Sequence, residues 1–233
     1  MAYSIEPIGI VHSPYKEKFA VPRQPGLVPS ARCEVILHDK ANSLDAVRGI
    51  EQFSHVWLLF LFDQNLEAGW RPTVRPPRLG GNERIGVFAS RATFRPNGIG
   101  MSAVKLRGVR HNNGQVIIDI AGADLVDGTP IIDIKPYIPY SDSLPEAIGG
   151  FAASQPATLE VQFAPSALQQ LVGKHADYHR AVISEVLAQD PRPAYKKGKP
   201  DSKLYAVNLF DFNVQFTVTE PNITVVSIDT TVQ

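Results

Sequence analysis

Short apolar runs cut off by turn residues fill the first 140 residues, and this pattern constrains the fold more than any other feature of the chain. The runs are residues 3–12, 32–38, 54–62, 85–89, 102–109, 116–121 and 131–136. Their lengths suit strands, and Gly, Pro and Asn separate them at Ser13-Pro14, Gly80-Gly81-Asn82, Asn112-Asn113-Gly114 and Asp127-Gly128-Thr129-Pro130. Glycine and asparagine tolerate the left-handed backbone of tight turns, and proline ends ladders. Many short strands at this spacing predict a mainly β fold of the barrel or sandwich type. Residues 54–62 are apolar almost throughout, which predicts a strand buried on both faces. One short helix is expected at 43–50, with Ser43 as its N-cap.

The pattern changes after residues 141–156, a Ser-, Pro-, Ala- and Gly-rich stretch that reads as a linker or loop. Leu168, Leu171, Val172, Tyr178, Val182, Ile183, Val186 and Leu187 recur at helical spacing, with Gly173 as the expected break and Asp190-Pro191 as the stop. Residues 204–209, 212–218 and 223–228 then read as strands, the last two joined through Glu220-Pro221-Asn222. The chain therefore divides into an expected β-barrel unit, 1–150, and a small α+β unit, 157–233.

Composition excludes several classes. The single cysteine, Cys33, rules out a disulfide framework and reads as a small core residue. The first ten residues lack a basic start followed by a long apolar run, so no signal peptide is expected. No apolar stretch approaches the ~20 residues needed to span a bilayer. The expected location is the cytoplasm. No phosphate-binding glycine loop of the nucleotide-binding type is present. His175 and His179 share a helical spacing but lack a third ligand, so no metal is expected. Net charge is zero, yet residues 71–107 hold eight Lys or Arg against one acid, Glu83. Lys196, Lys197, Lys199 and Lys203 form a second basic run. Such local excess can attract phosphate, and it also suits a solvated face.

Four stretches carry chemistry. Residues 18–27 form a Pro-stiffened loop that presents Arg23 and Gln24. Residues 86–102, GVFASRATFRPNGIGMS, place Arg91 and Arg95 four apart before Pro-Asn-Gly-Ile-Gly. Arginine forks grip carboxylate or phosphate, and glycines let backbone approach a ligand. Residues 124–137 set Asp127 in a turn between apolar strands. Residues 189–195, QDPRPAY, place Tyr195 beside Arg192, Lys196 and Lys197, where a base could stack and phosphates be held.

These stretches, with WRPTVRPPRLGGN at 70–82, resemble the TrmO (YaeB-like) family of tRNA methyltransferases, and the likeness covers nearly the whole chain. Gly98 departs from the family's RPNP pattern. The resemblance implies a single-sheet β-barrel that binds S-adenosylmethionine, often as a homodimer, with a small C-terminal α+β domain. It implies methylation of N6 of threonylcarbamoyl-adenosine 37 in threonine tRNA. The methyl-donor pocket carried onto this chain is Pro22, Arg23, Gln24, Asp63, Gln64, Arg91, Met101, Asp127, Gly128, Thr129 and Pro130. Asp127 or Tyr195 is the expected proton acceptor. Arg71, Arg75, Arg78, Arg192, Tyr195, Lys196 and Lys197 are the expected tRNA contacts. Two other readings remain at this point: a donor-binding sensor without methyl transfer, and an RNA-binding barrel without a cofactor.

Overall fold

The computed structural model describes residues 3–199 and 201–231. The extreme ends of the two expected units, and part of the N-terminal stretch read for a signal peptide, lie outside the described residues.

The N-terminal strands are β1 (Gly9–His12), β2 (Arg32–Leu37), β3 (His55–Leu61), β4 (Thr73–Val74), β5 (Ile85–Gly86), β6 (Ile99–Asn112), β7 (Gln115–Ala121) and β8 (Pro130–Pro136). Six of them close into a barrel in the order β1-β2-β7-β6-β3-β8, and β4 pairs with β5 outside it. Closure follows from alternation. Val35 and Leu37, Val56 and Leu58, Val104 and Leu106, Val116, Ile118 and Ile120 all point into one core. Pairing of β1 with β8 closes the ring and leaves no free edge between them. Asn113 and Gly114, both at positive φ, turn β6 into β7 as their sequence predicts.

β3 alternates buried and half-exposed residues, so the expected burial on both faces is corrected. A single-sheet barrel has only one internal face. Leu59 and Leu61 face outward, where they line a cavity described below. The helix expected at 43–50 is also absent. The Ser43 hydroxyl accepts from the Asp45 amide, two residues on, which stabilises a turn instead of a helix start. Gly49, at φ 85°, reverses the chain, and a single 3-10 turn follows at Ile50–Gln52.

The C-terminal body comprises β9 (Glu160–Phe163), β10 (Asp201–Leu209), β11 (Phe212–Thr219) and β12 (Asn222–Thr230) in the sheet order β10-β11-β12-β9. Four-residue β9 is not legible in the sequence because it is short and only half buried. Helices are α1 (Asp63–Leu66), α2 (Pro139–Asp142), α3 (Pro165–Gln170) and α4 (Ala176–Ala188). Gly173, at φ 90°, breaks the helical stretch between α3 and α4 as expected. Val182, Ile183, Val186 and Leu187 of α4 pack with Val207, Phe216 and Ile223 of the sheet.

This second core also takes Tyr15, Val28 and Ala31 from the N-terminal half. The Phe210 amide donates to the Pro14 carbonyl (2.8 Å), and the Asn208 amide donates to the Glu17 carboxylate (2.8 Å). Residues 13–31 thus strap the two bodies together. Cys33 sits in the barrel core, and burial pushes its thiol up to about 12, as suits an inert core cysteine. No helix among the described residues is long and apolar enough to cross a membrane.

Candidate functional site

The barrel wall, the strap and the end of α4 enclose a cavity of about 1210 Å³. Its lining comes from segments far apart in sequence: 18–24, 59–65, Pro77, parts of 88–95, 99–102, 124–126 with Thr129, and parts of 186–191. Two cross-links hold the strap over the opening. The Lys18 ammonium donates to the Gln64 carbonyl at 3.0 Å, and the Arg91 guanidinium donates to the Gln24 side-chain carbonyl at 2.7 Å. Arg95 donates to the carbonyls of Val87 and Ser90, which folds the 87–95 loop and leaves Arg91 to face the strap. Gly100 is required by crowding: a Cβ there would lie 2.4 Å from the Phe60 ring. Gly98 adopts φ 60°, which proline cannot reach, so this turn differs from the one an RPNP sequence would build.

Most of the expected donor residues converge here. Pro22, Arg23, Gln24, Asp63, Gln64, Arg91, Met101 and Thr129 all line the cavity. Burial lowers the Arg23 guanidinium, and neighbouring Asp190 partly restores it. Gly128 and Pro130 do not reach the cavity; Gly128 makes the turn, at φ 82°, and Pro130 opens β8. Leu125 and Val126 line it in their stead.

Asp127 lies apart from the other expected donor residues. Its carboxylate faces a separate groove with His12 and Lys16. It accepts from the Lys16 ammonium (2.9 Å) and the Ser13 amide (2.9 Å), and lies 3.3 Å from the His12 ring. Burial works against its charge, but these partners outweigh that and hold the carboxyl below its ordinary range. The turn is fixed in this orientation by backbone: the Asp127 amide donates to the Tyr15 carbonyl and the Gly128 amide to the Val11 carbonyl. The Asp127 carboxylate thus lies outside the cavity and is paired where it stands.

The acid that does enter the cavity is Asp124, which sequence reasoning missed. The Ser102 hydroxyl donates to its Oδ1 at 2.6 Å. Burial raises its carboxyl to about 6; the Ser102 hydrogen bond and the Arg91 charge pull the other way. The sequence signal was present but faint. Ser102 is a polar residue at an inward position of β6, where Val104 and Leu106 are apolar.

Arg192 is removed from the phosphate contacts. It is fully buried, clamped to Asp190 at 2.8 and 2.9 Å and to Glu220 at 2.5 Å. Glu220 also accepts from the Gly198 amide at 2.7 Å, so this clamp closes the 190–198 loop. Tyr195, 66% exposed, projects from the loop beside Lys196 and Lys197. Arg71 lies over the Phe94 ring at 4.7 Å, Arg75 is exposed, and Arg78 donates to the Ser154 carbonyl. No group of three or more His, Cys, Asp or Glu placed to hold a metal occurs among the described residues.

Family models decide what this arrangement belongs to. The tRNA-methyltransferase O N-terminal domain matches residues 10–143, and the TrmO C-terminal domain matches residues 156–231. The chain belongs to the tRNA-methyltransferase O family. It is 54% identical over 231 residues to the tRNA (adenine(37)-N6)-methyltransferase of Escherichia coli (strain K12), covering 98% of both chains. The Pseudomonas aeruginosa protein RcsF is 46% identical over 227 residues, 96% of both chains. The crystal structure of TrmO from Pseudomonas aeruginosa superposes with a TM-score of 0.80 at 38% identity, covering 98% of this chain and 99% of that one. In this TrmO-family chain the barrel, the second sheet and the cavity between them form one continuous structure.

Proposed function

We propose that this chain transfers a methyl group from S-adenosylmethionine to N6 of threonylcarbamoyl-adenosine 37 in threonine tRNA. It acts as a tRNA (adenine37-N6)-methyltransferase, and the observation that carries this reading is the convergence of eight expected donor residues on one cavity.

The cavity's chemistry fits S-adenosylmethionine. Arg23 and Arg91 suit the amino-acid carboxylate, Asp63 and Gln64 suit hydroxyl or amino groups, and Phe19, Phe62 and Phe94 offer apolar walls for the adenine. When bound, the donor supplies a methyl carbon made electrophilic by its sulfonium. The protein's task is then positioning, which can supply effective molarities up to about 10^5–10^8 M. Lys18 and Arg91 hold the strap closed across the site, limiting water. Arg71, Arg75, Arg78, Lys196 and Lys197 are proposed to hold tRNA phosphates, with Tyr195 stacking near the target base. We take the barrel, 1–150, as the donor-binding unit and 157–233 as the RNA-contacting unit. The exposed apolar side chains of Phe88 and Met101 on the cavity lining suit cover by a second copy, in keeping with a homodimer, and a tRNA-modifying role suits the cytoplasm.

The test is transfer of label from methyl-labelled S-adenosylmethionine to threonine tRNA with and without the threonylcarbamoyl group. Label at adenosine 37 of the modified tRNA alone is the expected result. Donor binding without label on either tRNA would instead support a sensor.

A further inference from the structure

We infer that Asp124 is the group that takes the N6 proton during methyl transfer. This rests on the methyltransferase reading above, and it assigns a role that Asp127 and Tyr195 fill poorly. Asp127 is turned into another groove and neutralised by Lys16, and Tyr195 does not line the cavity.

The reaction needs such a group. The N6 lone pair forms the new bond to the methyl carbon, and the carbon–sulfur pair leaves on sulfur, giving a neutral thioether. N6 then carries one proton too many, and its lone pair is conjugated with both purine and carbonyl, so it is a poor nucleophile. A base that accepts the proton as the bond forms lowers the barrier, and its optimal pKa lies near the working pH.

The lining offers few candidates. Among the described residues it holds no His, Cys or Tyr, and its carboxylates are Asp63, Asp124 and Asp190. Asp190 is neutralised by the bidentate clamp on Arg192. Asp63 is exposed and adjoins Gln64 at the outer end of β3. Asp124 alone combines burial, a fixed orientation and the absence, among the described residues, of a cation within ion-pair distance. The Ser102 hydroxyl and the residue's own backbone amide hold the carboxylate in place. The loop bearing it is rigid: the Gly122 amide donates to the Ala31 carbonyl (2.9 Å), and the Ser13 hydroxyl donates to the Leu125 carbonyl (2.7 Å).

The groups around Asp124 leave its titration distinct. Arg91 across the cavity favours the charged form. Tyr15 and Cys33, from the strap and β2, are both raised by burial, so neither carries charge in the same pH range. The acid limb of the rate profile therefore belongs to Asp124, whose carboxyl is raised to about 6.

Single-turnover transfer to modified tRNA would be measured from about pH 5 to about pH 8.5, with donor affinity measured by calorimetry on S-adenosylmethionine. Asp124→Asn is expected to lose about 10²–10⁴-fold in rate, with donor Kd changed less than about threefold. Ser102→Ala removes a bond that favours the anion, so its acid limb should move to higher pH. The assignment is overturned if Asp124→Asn transfers at the wild-type rate, or if its rate falls only in proportion to donor affinity. It is overturned too if Ser102→Ala leaves the acid limb in place. Wild-type protein that methylates no tRNA would instead remove the underlying reading. Thermal melts of both variants separate loss of function from loss of fold.

Discussion

Asp124 and Arg192 show how differently the same fold treats a charged side chain. Asp124 has no ion-pair partner among the described residues and its carboxyl is raised from 3.8 to about 6, so the folded state binds more protons than the unfolded state in that window. Stability must then fall as pH rises from about 4 to about 6, by up to about 3 kcal/mol at 1.36 kcal/mol per unit. Asp124→Asn removes this penalty. Its melting temperature should exceed the wild type's by several degrees near neutrality and match it below about pH 4; equal melting curves at both pH values would contradict the burial argument. Arg192 is the opposite case, an arginine with two carboxylate partners. Truncation in Arg192→Ala strands Asp190 and Glu220, and a cost of about 3–5 kcal/mol is expected by chemical denaturation. A phosphate-contacting Arg192 would instead leave stability unchanged. Neither role was legible in sequence. Asp124 stands three residues before the more conspicuous Asp127, and only the register of β6 brings Ser102 to it. Asp190-Pro-Arg reads as a surface linker until positive φ at Asp190 folds the guanidinium back on its own carboxylate.

Strands and turns were read more successfully than the directions in which they point. Short apolar runs between turn residues located the barrel strands and three of the four C-terminal strands, while residues 85–89 yield only the two-residue β5 and a 3-10 turn. The same pattern overstated β3, whose outward apolar side chains serve the cavity wall. The Asp-Gly-Thr-Pro turn was located correctly, but which side chain faced the cavity depended on hydrogen bonds to Val11 and Tyr15, more than a hundred residues away. The 190–198 loop is a closed element that offers Tyr195, Lys196 and Lys197 as a unit. Ion pairs already engage the two lysines: Lys196 lies 3.6 Å from Asp201, and Lys197 lies 3.8 Å from Asp190. Burial lowers Lys197, with Asp190 opposing. A Lys196→Ala, Lys197→Ala double variant should reduce the log–log salt slope of tRNA binding by about 0.7–0.9 for each phosphate that the protein no longer neutralises. Donor affinity should stay unchanged. An unaltered slope would take these lysines out of the interface.

At the scale of the molecule, the site exists because the two bodies share a strap. Residues 18–24 reach the cavity while Tyr15, Val28 and Ala31 anchor in the second core, and the end of α4 supplies the far wall. Composition fixed none of this, since the lining is gathered from segments scattered between residues 18 and 191. Sequence motifs nonetheless named most of the wall, because each motif is a loop that tertiary packing turns inward. The central claim is that chemistry occurs in this cavity, beside Asp124, and away from the groove that holds Asp127. A crystal structure with bound S-adenosylmethionine tests it most directly. The donor should occupy the 1210 Å³ cavity, its carboxylate against Arg23 or Arg91 and its methyl group on the side of Asp124. A donor seated between His12, Lys16 and Asp127 would contradict the account.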